Sequence, residues 1–292
     1  LELKVVLRGY LELLRPPNVM TAVADVLAGY AIAGLSNPAA LPWLLGATAC
    51  LYAGGVVLND FFDRRLDAIE RPERPLPSGR VPAGGAAVLG AGLLVAGIAL
   101  ASQGTPTAAL IAVAIAAMVL LYDSWTKRYG VLGPATMGTC RALNLLLGMA
   151  AAPDVLAGRW PLALIPFVYI AAVTLVSRGE VHGGKRGAAW LALISLGVVI
   201  IVLAGISAGA GAGHLAALAI TLLLAWRVLP PFWRVCQDPG PAGIRQAVKA
   251  GVLSLVLVDA TLGAAYGGTL YGVVVLATAV VAAGLARLFS VT

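Results

Sequence analysis

Asn59-Asp60-Phe61-Phe62-Asp63-Arg64-Arg65-Leu66-Asp67 ends an apolar run with three carboxylates and an amide, in a 292-residue chain that is otherwise 60% hydrophobic. On a helix, Asp60, Asp63 and Asp67 stand at i, i+3 and i+7, and Asn59, Asp63 and Asp67 at i, i+4 and i+8. At about 100° per residue, both sets fall within one narrow face. Three like charges on one face repel, so a bare helix gains nothing from placing them there. A hard divalent cation resolves the conflict, because Mg²⁺ takes oxygen ligands and bridges protein carboxylates to substrate phosphates. At the end of an apolar run, the stretch reads as a metal–phosphate site at a membrane boundary.

Only 11% of the residues are charged, where soluble domains carry roughly 25%. That composition belongs to a polytopic membrane protein. Apolar runs long enough to cross a bilayer recur at 17–35, 42–60, 84–102, 106–122, 132–152, 161–178, 187–207, 213–233, 244–266 and 269–288. Ten spans are expected, with nine as the fallback count. Residues 1–16 are too charged for a secretory signal and read as an interfacial amphipathic lead-in.

The basic residues test this layout independently, because they concentrate in cytoplasmic loops. Lys4, Arg8 and Arg15 precede the first span, Arg64 to Arg80 follow the second, and Lys127 and Arg128 follow the fourth. Arg178, Lys185 and Arg186 follow the sixth, Arg234, Arg245 and Lys249 flank the loop after the eighth, and Arg287 ends the last. The intervening loops contain only Arg159. Both termini are therefore expected on the cytoplasmic side, with one site built there from several loops. Topology accounts for the net charge of +7, and no nucleic-acid partner is needed. Cys50, Cys140 and Cys236 lack zinc or disulfide spacing and read as small core residues. No polar linker divides the chain, so a single unit over 1–292 is expected.

Beyond the acidic run, Arg71, Arg74 and Arg80 follow in a proline-rich loop. Arginine suits phosphate because its planar fork binds two oxygens at once. The ordinary alternative for these arginines is a solvated loop that only marks topology. Glu70 and Glu73 read as solvated or arginine-paired.

Asn59-Asp60-x-x-Asp63-x-x-x-Asp67 after an early span, followed by Arg71-Pro72…Arg74-Pro75…Ser78-Gly79, resembles the UbiA superfamily of intramembrane prenyltransferases. Leu14-Arg15-Pro16-Pro17-Asn18 looks like that family's opening at the first span, and Tyr122-Asp123-Ser124-Trp125-Thr126-Lys127-Arg128 falls where the family has a Tyr…Lys loop. The resemblance covers most of the chain. It implies an all-α transmembrane bundle of nine core helices, here with a tenth C-terminal span. It also implies Mg²⁺, an isoprenyl diphosphate, a lipophilic or aromatic acceptor, and loss of diphosphate to give an allylic carbocation.

On that reading Asp60, Asp63 and Asp67 ligate metal, with Asn59 assisting through its amide oxygen. Arg71, Arg74, Lys127 and Arg128 contact diphosphate, and Arg15 adds to them. Phe61, Phe62, Tyr122 and Trp125 would shield the cation with ring faces, or serve as interfacial packing. Family members carry a second Asp-rich run after the sixth span. Here that loop reads Ser177-Arg178-Gly179-Glu180-Val181-His182-Gly183-Gly184-Lys185-Arg186, with one carboxylate. Glu180 would complete the metal set, and Arg178, Lys185 and Arg186 would neutralise diphosphate directly. This loop and the final span resemble the divergent EboC-like branch.

Arg141 stands inside a span, where an arginine must face a cavity or pair with an acid, and Asp25 and Asp259 are the available acids. Asn18 and Asn144 line the cavity or bond between helices. His182 is a candidate base or a solvated loop residue. Prenyl transfer is the expected activity. A terpene cyclase on the same scaffold and a non-catalytic isoprenoid or lipid carrier remain open alternatives.

Overall fold

The computed structural model describes residues 2–181 and 183–287 and contains, among them, only helices and their connections. An amphipathic helix, α1 (Glu2–Leu14), leads into α2 (Pro16–Ile32), α3 (Leu41–Glu70), α4 (Ala83–Gly104), α5 (Pro106–Ser124) and α6 (Leu132–Met149). A short α7 (Pro153–Arg159) and a 3-10 turn precede α8 (Leu164–Ser177), and α9 (Arg186–Ala208), α10 (His214–Gln237), α11 (Pro241–Gly267) and α12 (Thr269–Leu285) complete the bundle. Each expected span carries a helix. Proline at the first turn of several of them needs no intrahelical donor there; at α5 the Thr105 hydroxyl also caps Ala108 N.

Among the described residues, seven helical segments are long and apolar enough to cross a membrane: α3, α4, α5, the α7–α8 unit, α9, α10 and α11. The other three fall short for physical reasons. The α12 helix is apolar but has 17 residues. The α2 and α6 helices are short and carry Asp25, Arg141 and Asn144, which they turn inward.

These two polar helices cross at the centre of the bundle. A Cβ on Gly29 would lie 2.1 Å from Leu145 O, and one on Gly148 would lie 2.2 Å from Val26 O, so only glycine allows the backbones to touch. One apolar cluster packs α2 through α6 around Val26, Leu44, Leu51 and Leu147. A second packs α2, α6 and α8 through α12 around Leu145, Tyr169, Leu196, Phe232 and Val258. The polar connections near residues 15, 71–82, 125–131, 178–185 and 238–240 meet at one end, as the contacts among them show.

The α3 helix runs ten residues past the end expected from its hydropathy, at Glu70 rather than residue 60. Its acidic segment stays helical because cations from three other segments meet its carboxylates, which removes the repulsion a bare helix would feel.

Candidate active site

The acidic face of α3 is laced to basic side chains from elsewhere in the chain. Arg15 Nη2 donates to Asp60 Oδ1 at 2.6 Å. Arg74, from the proline-rich loop, donates through Nη1 to Asp67 Oδ2 at 2.8 Å and more weakly to Asp60 Oδ1 at 3.4 Å. Lys127 Nζ lies 2.7 Å from Asp63 Oδ1. Asp60 and Asp67 are buried, and Asp63 is half-buried. Arg15 reaches its partner from a left-handed backbone (φ 43°, ψ 61°) directly before Pro16. Such a conformation is costly for a non-glycine residue and persists only where the surroundings enforce it.

Lys127 stands in a 3-10 turn, Thr126–Arg128, between α5 and α6. The Arg178 fork donates to the main-chain oxygens of Lys127, Arg128 and Tyr129 at 2.9, 3.2 and 3.1 Å. Arg178 therefore braces this turn with its donors. Asn59 donates its amide to Asp123 Oδ1 at 2.7 Å. Asp123 is buried at the end of α5 and escaped the sequence reading. The signal was present: a carboxylate at the end of an apolar run, directly after Tyr122, is unusual enough to mark a site.

Below this lattice lies a cavity of about 270 Å³. Arg15, Asn18, Asn59, Tyr122 and Asp123 line its mouth, and Arg141, Asn144 and Thr48 lie at its inner end. Arg141 Nη1 donates to Asp25 Oδ2 at 2.5 Å and Nη2 to Thr21 Oγ1 at 2.7 Å. Asn144 donates to the same Asp25 oxygen at 2.9 Å and accepts from Thr48 Oγ1 at 2.7 Å. Arg141 is thus both cavity lining and one half of a buried ion pair. Asp259, wholly buried beside Asp25, receives no donor on either oxygen among the described residues.

Several expected participants lie elsewhere. Glu180 stands among Arg71 and Arg245, with its main-chain oxygen accepting from Arg245 Nη1 at 2.9 Å. Burial pushes its carboxyl above the usual carboxylate range, and the two arginines pull it back. Arg71, Arg128 and Lys185 are exposed, and Lys185 borders a separate 390 Å³ cavity beside Gly183, Gly184 and Ile244. Phe62 and Trp125 are also exposed. Phe61 packs under the Arg64 guanidinium, 4.3 Å from its ring centre, so of the four expected shielding rings only Tyr122 faces the cavity, joined there by Tyr52. His182 lies outside the described residues. Cys50, Cys140 and Cys236 are free thiols.

Among the described residues no three acidic, histidine or cysteine side chains converge into a preformed metal cage. The donor set on α3 nonetheless suits a hard cation, being carboxylate oxygens on successive turns. Each of those carboxylates already holds a cation within 2.8 Å.

A profile of the UbiA prenyltransferase family matches residues 22–243. A digeranylgeranylglyceryl phosphate synthase of Ignicoccus hospitalis is 33% identical over 148 residues, which cover 51% of this chain and 48% of that protein. The matched stretch thus spans about half of that relative's length. The enzyme of the same name from Methanoregula boonei is 30% identical over 193 residues, covering 65% of this chain and 69% of that protein. A solved UbiA homolog from Archaeoglobus fulgidus, bound to DMAPP and Mg²⁺, has the same fold. It superposes with a TM-score of 0.65 at 17% identity, over 87% of this chain and 99% of its own.

Proposed function

The chain belongs to the UbiA prenyltransferase family, and on that premise we propose that it is a Mg²⁺-dependent intramembrane prenyltransferase. It ionises an isoprenyl diphosphate and transfers the prenyl group to a lipophilic or aromatic acceptor. One observation carries this reading: an acidic helix face interleaved with Arg15, Arg74 and Lys127, set over the mouth of a largely apolar cavity. The archaeal relatives named above support a prenylated lipid product, and the Archaeoglobus homolog's ligands support the donor and the metal.

Asp60, Asp63 and Asp67 would hold Mg²⁺, with the amide oxygen of Asn59 beside them. When bound, Mg²⁺ supplies charge neutralisation to the departing diphosphate. Arg15, Arg74 and Lys127 sit within reach of the same carboxylates, so they stabilise the negative charge that gathers on the leaving group as the allylic C–O bond breaks. The electron pair leaves with the diphosphate, and the prenyl cation is left facing Tyr122 and Tyr52, whose ring faces stabilise it. Attack by the acceptor closes the new bond and expels the acceptor's proton. The apolar walls keep water from capturing the cation first. Arg178 acts on Lys127 indirectly, as a positioning residue.

We place the basic end of the bundle, which holds the site, on the cytoplasmic side of the membrane, the cytoplasmic membrane in a prokaryotic cell; the bias of its arginines and lysines supports this reading. Residues 1–292 are assigned to one such unit.

The test is diphosphate release from geranyl, farnesyl and geranylgeranyl diphosphates by the detergent-purified protein, with Mg²⁺ or with EDTA. Metal-dependent release that is lost in Asp63→Ala is the expected result. A cyclised product without acceptor selects the cyclase instead, and saturable binding without release selects the carrier.

A further inference from the structure

Arg227 takes no part in the site over α3. It stands on α10, ten residues before that helix ends at Gln237, and it is exposed. Leu223, Trp226 and Pro230, all exposed, share its side of the helix, so that side faces lipid. Among the described residues Arg227 makes no hydrogen bond or ion pair, whereas Arg141 on α6 is tied to Asp25. An arginine inside a span ordinarily faces the bundle interior or pairs with an acid. This one does neither.

Its depth makes the exposure costly. Trp233 and Trp190 of α9 meet edge to face, with ring centres 5.4 Å apart, one turn inside their helix ends at the basic end. Tryptophans so placed mark the membrane interface. Arg227 lies six residues deeper on α10, about 9 Å at 1.5 Å per residue, and about 20 Å from His214 at the far end. With a hydrocarbon core about 30 Å thick, both headgroup layers are distant. A helical side chain leaves the backbone toward the helix N-terminus. The C-terminus of α10 is at the basic end, where Arg186 holds Gln237 O, so Arg227 sets off away from the nearer phosphates. Pro230 and Pro231 also deprive the carbonyls of Trp226 and Arg227 of their usual helical donors. Lipid tails satisfy neither the guanidinium nor these oxygens.

A carboxylate at the same depth satisfies the arginine, and this chain cannot supply it from a second copy. Among the described residues, every carboxylate that is not buried lies in a connection, in α1, in the first turn of α7 or on the last three turns of α3. Trp226, 73% exposed beside Arg227, adds a large ring, and tryptophan and arginine are enriched at the centres of protein interfaces. We propose that this face of α10 docks a transmembrane helix of another protein that carries an aspartate or glutamate level with Arg227. The guanidinium fork donates to that carboxylate, and Trp226 packs beside the pair.

The test uses labelled protein in phosphatidylcholine vesicles and labelled Leu/Ala-rich spanning peptides with Asp, Asn or Ala at the centre. Energy transfer measures their association. The Asp peptide should associate about tenfold more tightly than the Ala peptide, and more tightly than the Asn peptide. Arg227→Leu, which suits a lipid-facing position, should erase that preference without lowering Tm. Arg227→Lys should keep part of it, and Trp226→Ala should weaken association of the Asp peptide. Equal association of all three peptides with wild type, or a preference that survives Arg227→Leu, would overturn the proposal. So would loss of the preference when phosphatidylglycerol is added, which would make a lipid phosphate the partner. Energy transfer between two wild-type copies that is lost in Arg227→Leu and unaffected by the Asp peptide would overturn it in favour of a second copy.

Discussion

Arg15 and Asp60, forty-five positions apart in sequence, meet at 2.6 Å, and Arg15 adopts a left-handed backbone to do so. The arginine caps the start of α2, while the aspartate ends the apolar part of α3. Their contact joins two helices at the mouth of the cavity and places a cation against the first carboxylate of the acidic face.

Replacing Arg15 should separate its two roles. Hydrogen bonds to charged groups contribute about 1.5–3 kcal/mol, so Arg15→Ala should raise KM for the diphosphate donor about tenfold or more. Arg15→Gly loses the same cation but relaxes the left-handed backbone, which costs an L-residue about 1–2 kcal/mol. The glycine variant should therefore unfold at a higher temperature than the alanine variant while matching its KM. Identical melting temperatures would remove the strain from the account.

The Lys127–Asp63 contact predicts a non-additive pair. Asp63→Ala should abolish Mg²⁺ binding measured by calorimetry with inorganic diphosphate present, and lower kcat at least a hundredfold. Lys127→Ala should weaken diphosphate affinity but keep metal binding. Because the two side chains touch, the double variant should lose less than the two losses combined; simple additivity would mean that the ion pair plays no part.

Arg178 makes a prediction about shape and not charge. Its fork spans three carbonyl oxygens, which a lysine ammonium cannot reproduce. Both Arg178→Ala and Arg178→Lys should lower kcat about tenfold and raise KM in the direction of Lys127→Ala, by less than that variant does. Full rescue by lysine would make Arg178 a charge donor to substrate instead.

The crossing of α2 and α6 should tolerate no added carbon. Gly148→Ala forces a Cβ to within 2.2 Å of Val26 O and should cost about 1–3 kcal/mol, as overpacking does. Gly92→Ala on α4 meets nothing within 4 Å and should be neutral or stabilising by up to about 1 kcal/mol. Thermal unfolding in one detergent compares the two directly.

Glu180 supplies a pH dependence. Its folded carboxyl is raised by burial, so the folded chain holds that proton more tightly than the unfolded one. The stability this adds is complete below the ordinary glutamate value of about 4.3 and is lost as pH rises through the raised one. Glu180→Gln should remove that slope from a plot of Tm against pH. Arg245→Ala, which takes away a cation that pulls the carboxyl down, should move the loss to higher pH. A wild-type slope equal to that of the glutamine variant would contradict the burial.

Much of this arrangement could be read from residue order alone. The ten helical segments follow from hydropathy, and Asp60, Asp63 and Asp67 share a face because helical geometry allows nothing else. The inward-facing Arg141 followed from the expense of a charge in lipid, and Asp25 was one of two acids that could meet it. What stayed hidden depends on loop conformation. No periodicity places Arg178 over the turn that carries Lys127, because the fork reaches main-chain oxygens that every residue has. The same is true of Glu180: the family resemblance offered it as a ligand, and only the folded loop shows it standing among Arg71 and Arg245. The α3 helix outlasted its hydropathy because compensation by distant cations cannot be seen in a local window.

The loops at the site end are fastened in one recurring way. Arg178 holds the carbonyls at 127–129, Arg186 holds Gln237 O, and Arg245 holds Glu180 O. Each clasp grips the main chain, so it survives almost any change in the side chains it passes over. Mutational drift in residues such as Tyr129 or Gln237 leaves the grip intact, while loss of one arginine opens it. The rim can therefore explore new side chains facing a ligand at little risk to its shape, and three arginines carry the burden of keeping that freedom open.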